Sequence, residues 1–112
     1  QPHYDTIVAA AQRLEHDFRP PFSLARAARD AGMTPSNFRR LFARYLHMAP
    51  AEYRRRKRIE KIRTLLTSTD LPLKDIADRT GFPDIYTFAH QFKRLTGTPP
   101  GEYRRRAGLN LG

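Results

Sequence analysis

The chain has 112 residues, a formal net charge of +10, 39% hydrophobic residues and no cysteine. This length fits one domain or two very small ones with a real core, and the missing thiols exclude disulfide scaffolds, thiolate zinc sites and thiol catalysis. The positive charge favours a polyanionic partner: nucleic acid is the first candidate and an anionic membrane the second. The alternative is that the charge only keeps the protein soluble.

The N-terminal segment predicts a helix. Apolar residues at helical spacing favour a helix over residues 5–18, with Ile7, Ala11, Leu14 and Phe18 on its buried face. The sequence Arg-Pro-Pro at residues 19–21 is expected to end it, because proline removes a donor and disfavours helix in the residue before it. Because the chain begins with Gln1 and not with Met, we expect it to be a fragment of a longer protein.

A short helix, a tight turn and a longer helix are predicted next. Ser23 is expected to cap the short helix, which Gly32 ends in the left-handed conformation. Thr34 is expected to cap the second helix, at about residues 35–47, whose apolar residues recur at i, i+3, i+4 and i+7: Phe38, Leu41, Phe42 and Tyr45. This order is typical of a helix-turn-helix, although a plain helical hairpin looks similar.

A connecting helix is predicted over residues 51–68. Its apolar face is formed by Ile59, Ile62, Leu65 and Leu66. At the usual rise it would be roughly 26 Å long. A linker of that length suits two recognition helices that enter adjacent major grooves about 34 Å apart.

The C-terminal part repeats the same design. Gly81 is expected to make the turn, Asp84 to cap a helix at about residues 84–96, and Gly97 to end it. A short final helix including Tyr103 follows, and residues 107–112 are expected to fray. The predicted inward residues of the capped helix are Ile85, Phe88, Phe92 and Leu95.

An internal repeat supports this interpretation. Residues 38–56 and 88–106 are identical at nine of nineteen positions with an offset of 50. With an offset of 49, Leu24, Ala28 and Gly32 match Leu73, Ala77 and Gly81. Two tandem copies of one small motif therefore fit better than a solenoid.

The outward faces of the two longer helices carry candidate base-reading residues. A helical wheel places Ser36, Arg40, Tyr86 and His90 away from the apolar stripes, with Asn37, Arg39 and Thr87 beside them. Arginine can bond guanine and asparagine can bond adenine, although a solvated face has similar composition. The candidates for phosphate contact are Ser23, Thr34, Arg44, Lys93 and Arg94.

The basic charge is uneven along the chain. Residues 1–69 hold 14 basic and 6 acidic side chains, a net +8, whereas residues 70–112 hold 7 and 5, a net +2. We therefore expect the first copy to bind a polyanion more strongly. The arginine and lysine run at residues 54–58 covers more than one helical turn, so a mixed role is expected: some side chains solvated, some paired with Glu52 or Glu60, and one or two directed at phosphate. The same mixed role is expected of residues 104–106.

Neither an enzyme nor a membrane-surface protein fits the pattern. The four histidines are scattered, and no nucleophile motif, phosphate loop or metal-ligand spacing is present in the sequence, so no catalysis, cofactor or metal is expected. The apolar stripes are needed for the core and leave no face for a membrane. A nonspecific protein that coats or shapes nucleic acid is the alternative to a sequence-specific binder.

The residues that carry the repeat also resemble a known family. The stretch 75–104, with Ile76-Ala77, Gly81-Phe82, Phe92-Lys93 and Tyr103-Arg104, is similar to the signature of the AraC/XylS family of transcription regulators. Residues 32–42 match its first unit, and the likeness covers residues 4–106.

This resemblance implies an all-α fold of about seven helices, with two homeodomain-like helix-turn-helix units joined by a long linker helix. One DNA-binding domain would consist of residues 1–49, the linker 50–69 and residues 70–112. The base-reading positions implied by the resemblance are Ser36, Asn37, Arg39, Arg40, Ile85, Tyr86, Thr87 and His90.

The resemblance also implies the setting of the domain. Its partner would be double-stranded promoter or operator DNA in the bacterial cytoplasm, at the nucleoid. RNA polymerase would be a further partner. An effector-binding or dimerisation domain would lie in a part of the protein that this sequence lacks.

Overall fold

The computed structural model describes residues 2–111, with side chains described for residues 2–108. This part of the chain is all-helical and contains no strand, which confirms the predicted fold class. The seven helices are α1 (Tyr4–Leu14), α2 (Leu24–Asp30), α3 (Pro35–Leu46), α4 (Pro50–Ser68), α5 (Leu73–Arg79), α6 (Ile85–Thr96) and α7 (Pro100–Leu111).

The chain packs as two compact units. Unit 1 is Gln1–Arg58 and unit 2 is Ile59–Gly112, so the boundary falls inside α4. The beginning of α4 therefore belongs to one unit and its remainder to the other. Each unit has its own hydrophobic core, and α2–α3 in unit 1 and α5–α6 in unit 2 are the two helix-turn-helix pairs.

The core of unit 1 is built around two phenylalanines. Phe38 and Phe42 of α3 are fully buried, with ring centroids 5.7 Å apart. Tyr53 of α4 packs edge-on against Phe42 at 5.4 Å. The other buried members of this hydrophobic cluster come from α1, α2 and α3: Ile7, Ala10, Ala11, Ala28 and Leu41. Small alanines on α1 and α2 let α3 pack closely against both helices.

The core of unit 2 has the same plan. Phe88 and Phe92 of α6 are fully buried, and Tyr103 of α7 packs edge-on against Phe92 at 5.5 Å. The other buried members of this hydrophobic cluster are Ile62, Leu65 and Leu66 of α4, Ile76 and Ala77 of α5, and Phe82. The α4 residues have the i, i+3, i+4 spacing of Ile7, Ala10 and Ala11, so the second part of α4 supports unit 2 as α1 supports unit 1.

The predicted caps and turns are confirmed. Ser23 Oγ accepts from the backbone N–H of Arg26 at 3.1 Å, and Thr34 Oγ1 accepts from that of Asn37 at 3.2 Å. These bonds satisfy amide groups that the first helical turn leaves unpaired. The turn glycines Gly32 and Gly81 have φ values of 72° and 84°, a region that glycine adopts without steric cost.

Three local predictions are wrong. Helix α1 ends at Leu14, not at Phe18, because the backbone N–H of His16 bonds the carbonyl of Arg13, three residues back, and closes a tight final turn. Leu14 is consequently only half-buried, although Phe18 is buried outside the helix.

The other two corrections concern unit 2. Leu95, expected to face inward, is 47% exposed, whereas Tyr103 packs edge-on against Phe92. Helix α7 continues to Leu111, where a frayed end from residue 107 was expected, and Gly112 lies outside the described residues. An ion pair of 2.6 Å between Arg106 and Glu102 supports α7 at the i, i+4 spacing.

Candidate nucleic-acid interface

The face of α3 opposite its buried phenylalanines carries the four predicted base-reading residues of unit 1. Ser36, Arg39 and Arg40 are exposed, and Asn37 is half-buried. Nη2 of Arg40 donates to Oδ1 of Asn37 at 2.5 Å. Arg39 makes no hydrogen bond or ion pair with the rest of the described chain, so its guanidinium is available to a ligand.

The corresponding face of α6 is much less basic. Tyr86 is 82% exposed and His90 is also exposed, whereas Ile85 and Thr87 are half-buried. The half-burial of Ile85 agrees with the helical wheel, which places it partly inward. Of the four predicted residues of unit 2, only Tyr86 and His90 are therefore fully accessible on one face, and no arginine lies among the four.

The candidates for phosphate contact lie at the surface. The hydroxyl oxygens of Ser23 and Thr34 accept backbone hydrogen bonds as helix caps, which leaves each O–H group able to donate. Arg44, Lys93 and Arg94 are exposed and are not paired within the described residues. All three lie in the last turns of α3 and α6.

The two candidate recognition helices, α3 and α6, differ in charge at their N-termini. Asp84 caps α6 by accepting from the backbone N–H of Thr87 at 2.7 Å. This bond, followed by further hydrogen bonds from Thr87 and Tyr86, holds the pKa of the Asp84 carboxyl below its usual value. The cap of α3 is the neutral Thr34. The first turn of α3 is therefore the more favourable of the two for an anion.

The basic run at the start of α4 is largely paired within unit 1, which confirms the predicted pairing with Glu52. Arg55 and Arg56 bond the carboxylate of Glu52 at 2.8 and 3.0 Å, and these contacts lower the Glu52 pKa. Arg54 donates to the carbonyl of Pro20 at 2.6 Å. The guanidinium carbon of Arg54 also lies 5.5 Å from the ring centroid of Phe18, so Arg54 stabilises the packing of unit 1.

Arg104 has a structural role that the sequence did not reveal. Its Nε donates to the carbonyl of Leu66 at 3.0 Å, and its Nη2 donates to that of Thr69 at 3.3 Å. These carbonyl groups lie at the C-terminal end of α4, where the backbone carbonyl groups have no intrahelical N–H donors. In the repeat Arg104 corresponds to Arg54, which also binds a backbone carbonyl.

Comparison with known proteins identifies the family. A family model described as a helix-turn-helix domain matches residues 27–106, which include both turn glycines. The chain is 33% identical over 93 residues to the HTH-type transcriptional regulator YpdC of Escherichia coli (strain K12), an alignment that covers 83% of this chain and 33% of that protein. The chain belongs to the AraC/XylS family of transcription regulators. The predicted resemblance is confirmed.

Solved structures agree with this membership of the AraC/XylS family. The C-terminal domain of AraT, a response regulator from Geobacillus stearothermophilus, is 27% identical with a TM-score of 0.81, covering 95% of this chain and 88% of that one. The DNA-binding domain of AdpA, solved in complex with a target DNA, has the same fold at 24% identity and a TM-score of 0.77, with coverage of 98% and 96%.

This AraC/XylS chain is much shorter than its curated relatives. The chain spans about a third of the length of the curated relatives it matches, which are named as transcriptional regulators. Among residues 2–111, no helix is both long enough and apolar enough to cross a membrane.

Proposed function

We propose that this domain binds double-stranded DNA in a sequence-specific manner and thereby directs a transcription regulator to its operator. Helices α3 and α6 would act as recognition helices in adjacent major grooves. The observation that carries the proposal is the shared design of the two units. In each, a buried phenylalanine pair (Phe38 and Phe42, or Phe88 and Phe92) anchors a helix whose opposite face is accessible.

The chemistry of the α3 face fits base recognition. Arg39 and Arg40 can each donate two hydrogen bonds to the O6 and N7 atoms of guanine. Asn37 offers an amide for an adenine edge, and Ser36 can donate or accept at several bases. On α6, the proposed base contacts are Ile85, Tyr86, Thr87 and His90.

Phosphate contacts would fix the register of both helices on the duplex. Arg44, Lys93 and Arg94 supply exposed cations at the ends of α3 and α6. The hydroxyl groups of Ser23 and Thr34 supply neutral donors. Such contacts add affinity that depends on salt but carry no sequence information.

The decisive experiment is in vitro selection of duplexes by this domain from a random library. The selected duplex and a scrambled one of the same composition are then titrated at one salt concentration. A specific binder should prefer the selected site by about 10³-fold or more. Equal affinity would instead support the alternative, a nonspecific protein that coats or shapes nucleic acid.

The wider setting is also a proposal. We place residues 1–49, 50–69 and 70–112 together in one DNA-binding domain without catalytic activity. An effector-binding or dimerisation domain would belong to the remainder of the longer regulator, which would act in the cytoplasm at the nucleoid. RNA polymerase would be a further partner, and a pull-down of the full-length protein bound to its operator tests this contact.

A further inference from the structure

The exposed faces of α3 and α6 differ systematically at equivalent positions of the repeat. With the offset of 50, the donor-rich residues of α3 are replaced in α6 by residues with few donors and more hydrocarbon. The replacements are Ser36 by Tyr86, Asn37 by Thr87, Arg39 by Ala89 and Arg40 by His90, and Ile85 stands where α3 has Pro35.

Tyr86 is the most unusual member of this face. It is 82% exposed, whereas Phe82, Phe88 and Phe92 in the same unit are buried. Within residues 2–108, its ring packs against no other aromatic ring. An aromatic ring in the first turn of a helix that does not serve the core is available to a ligand with an apolar group.

Only one base offers an apolar group in the major groove. Guanine presents two acceptors there and is read by arginine or lysine, whereas thymine presents a methyl group beside its O4 acceptor. The hydrocarbon of Ile85, Tyr86, Thr87 and Ala89 matches a methyl group and not an acceptor pair. Of the predicted base-reading residues of α6, only His90 carries a nitrogen donor in its side chain.

We propose that unit 2 recognises thymine methyl groups through Tyr86 and Ile85, and that unit 1 recognises guanine through Arg39 and Arg40. The operator then has two chemically different halves, one rich in thymine and one containing guanine. This inference rests on the proposed function, because it assigns base chemistry to the same recognition helices.

Replacement of thymine by deoxyuridine tests the inference, because it removes only the methyl group. In the selected duplex, all thymines of one half are replaced, and then all those of the other half. We expect the replacement to weaken binding in only one of the two halves. The loss should be about fourfold for each methyl group in contact, the value expected for the burial of one carbon. No loss from either half would overturn the inference while leaving sequence-specific binding intact.

Variants connect the methyl effect to unit 2. In Tyr86→Ala the deoxyuridine penalty should largely disappear, whereas Tyr86→Phe, which keeps the ring, should retain it. Arg40→Ala in unit 1 is the matched control and should also retain the full penalty. A penalty unchanged in Tyr86→Ala overturns the assignment. Equal binding of selected and scrambled duplexes would instead defeat the proposed function itself.

Discussion

Oδ1 of Asn37 accepts a hydrogen bond from Nη2 of Arg40 at 2.5 Å, across one turn of the exposed face of α3. An asparagine that reads adenine must accept with this same oxygen while its NH2 group donates. The bond holds Arg40 in one orientation and leaves its remaining N–H groups free to donate, while the Asn37 oxygen keeps a second lone pair for a further donor. In the DNA-free domain Asn37 therefore positions Arg40.

This bond predicts coupled effects of two substitutions. Arg40→Ala should weaken binding by about 1–3 kcal/mol and relax the preference at one base pair. Asn37→Ala should relax the preference at that same base pair by a smaller amount, since it frees Arg40 to move. Titrations with all four bases at each position of the site measure both effects.

The double variant separates positioning from independent base reading. If Asn37 acts through Arg40, the two losses are not additive, because the second substitution removes an already weakened contact. Additive losses, or a changed preference at a different base pair in Asn37→Ala, would show that Asn37 reads its own base.

A second prediction concerns the stability of unit 2. Arg104 is half-buried and bonds the carbonyl groups of Leu66 and Thr69, so Arg104→Ala should lower the free energy of unfolding by about 1–3 kcal/mol. Arg105→Ala is the matched control, because Arg105 is exposed and unpaired within the described chain, and it should change stability by less than about 0.5 kcal/mol. Urea denaturation of both variants provides the comparison. Equal effects would contradict a structural role for Arg104.

The elements that the sequence predicts best are those set by local chemistry. Thr34 and Asp84 cap α3 and α6 as expected because a cap needs only a side-chain oxygen and the amide three residues on. The phenylalanine stripes follow from helical spacing and are buried for that reason. The family likewise follows from residues 75–104, where the motif spacing is specific.

Features that depend on distant residues could not be predicted. The roles of Arg54 and Arg104 depend on carbonyl groups at least 34 residues away. The Asn37–Arg40 bond, in contrast, joins neighbours on one helix, but which of several partners an exposed arginine adopts is not fixed by spacing. The base contacts depend on DNA and stay predictions.

A third prediction uses an asymmetry between the two helix ends. His47 ends α3 with φ of 64°, and its equivalent in the repeat, Gly97, ends α6 with φ of 85°. The left-handed conformation costs a residue with a Cβ about 1–2 kcal/mol, partly offset by the greater chain entropy of glycine. His47→Gly should therefore stabilise the domain by about 0.5–1 kcal/mol in thermal or urea unfolding.

A substitution at the equivalent position of α6, Gly97→Ala, is the control. No atom lies within 4 Å of a Cβ built on Gly97, so Gly97→Ala should destabilise through backbone conformation alone. A destabilising His47→Gly together with a neutral Gly97→Ala would show that backbone conformation at these caps does not limit stability.

A fourth prediction concerns pH. The backbone N–H of Thr87 lowers the Asp84 pKa in the folded state, so the ionised cap stabilises α6 at pH values above the ordinary carboxyl pKa. This contribution should be lost as the pH falls from that range through the lowered folded-state pKa. Asp84→Asn keeps a capping oxygen but does not titrate. The stability advantage of the wild type over Asp84→Asn should therefore shrink on acidification, and a constant difference would contradict this account.

The last prediction ranks the two units in DNA binding. Unit 1 (residues 1–58) holds 12 basic and 5 acidic side chains, a net +7, against 9 and 6, a net +3, for unit 2 (residues 59–112), and the predicted base-reading face of α3 includes two arginines where α6 has Ala89 and His90. The double variant Arg39→Ala/Arg40→Ala should therefore lose more affinity than Tyr86→Ala/His90→Ala at the same salt concentration, because it removes two cations as well as base contacts. Titrations at low and high salt test the electrostatic part, since only the arginine variant should show a weaker salt dependence. A greater loss in the Tyr86/His90 variant would reverse the ranking and make unit 2 the main source of affinity.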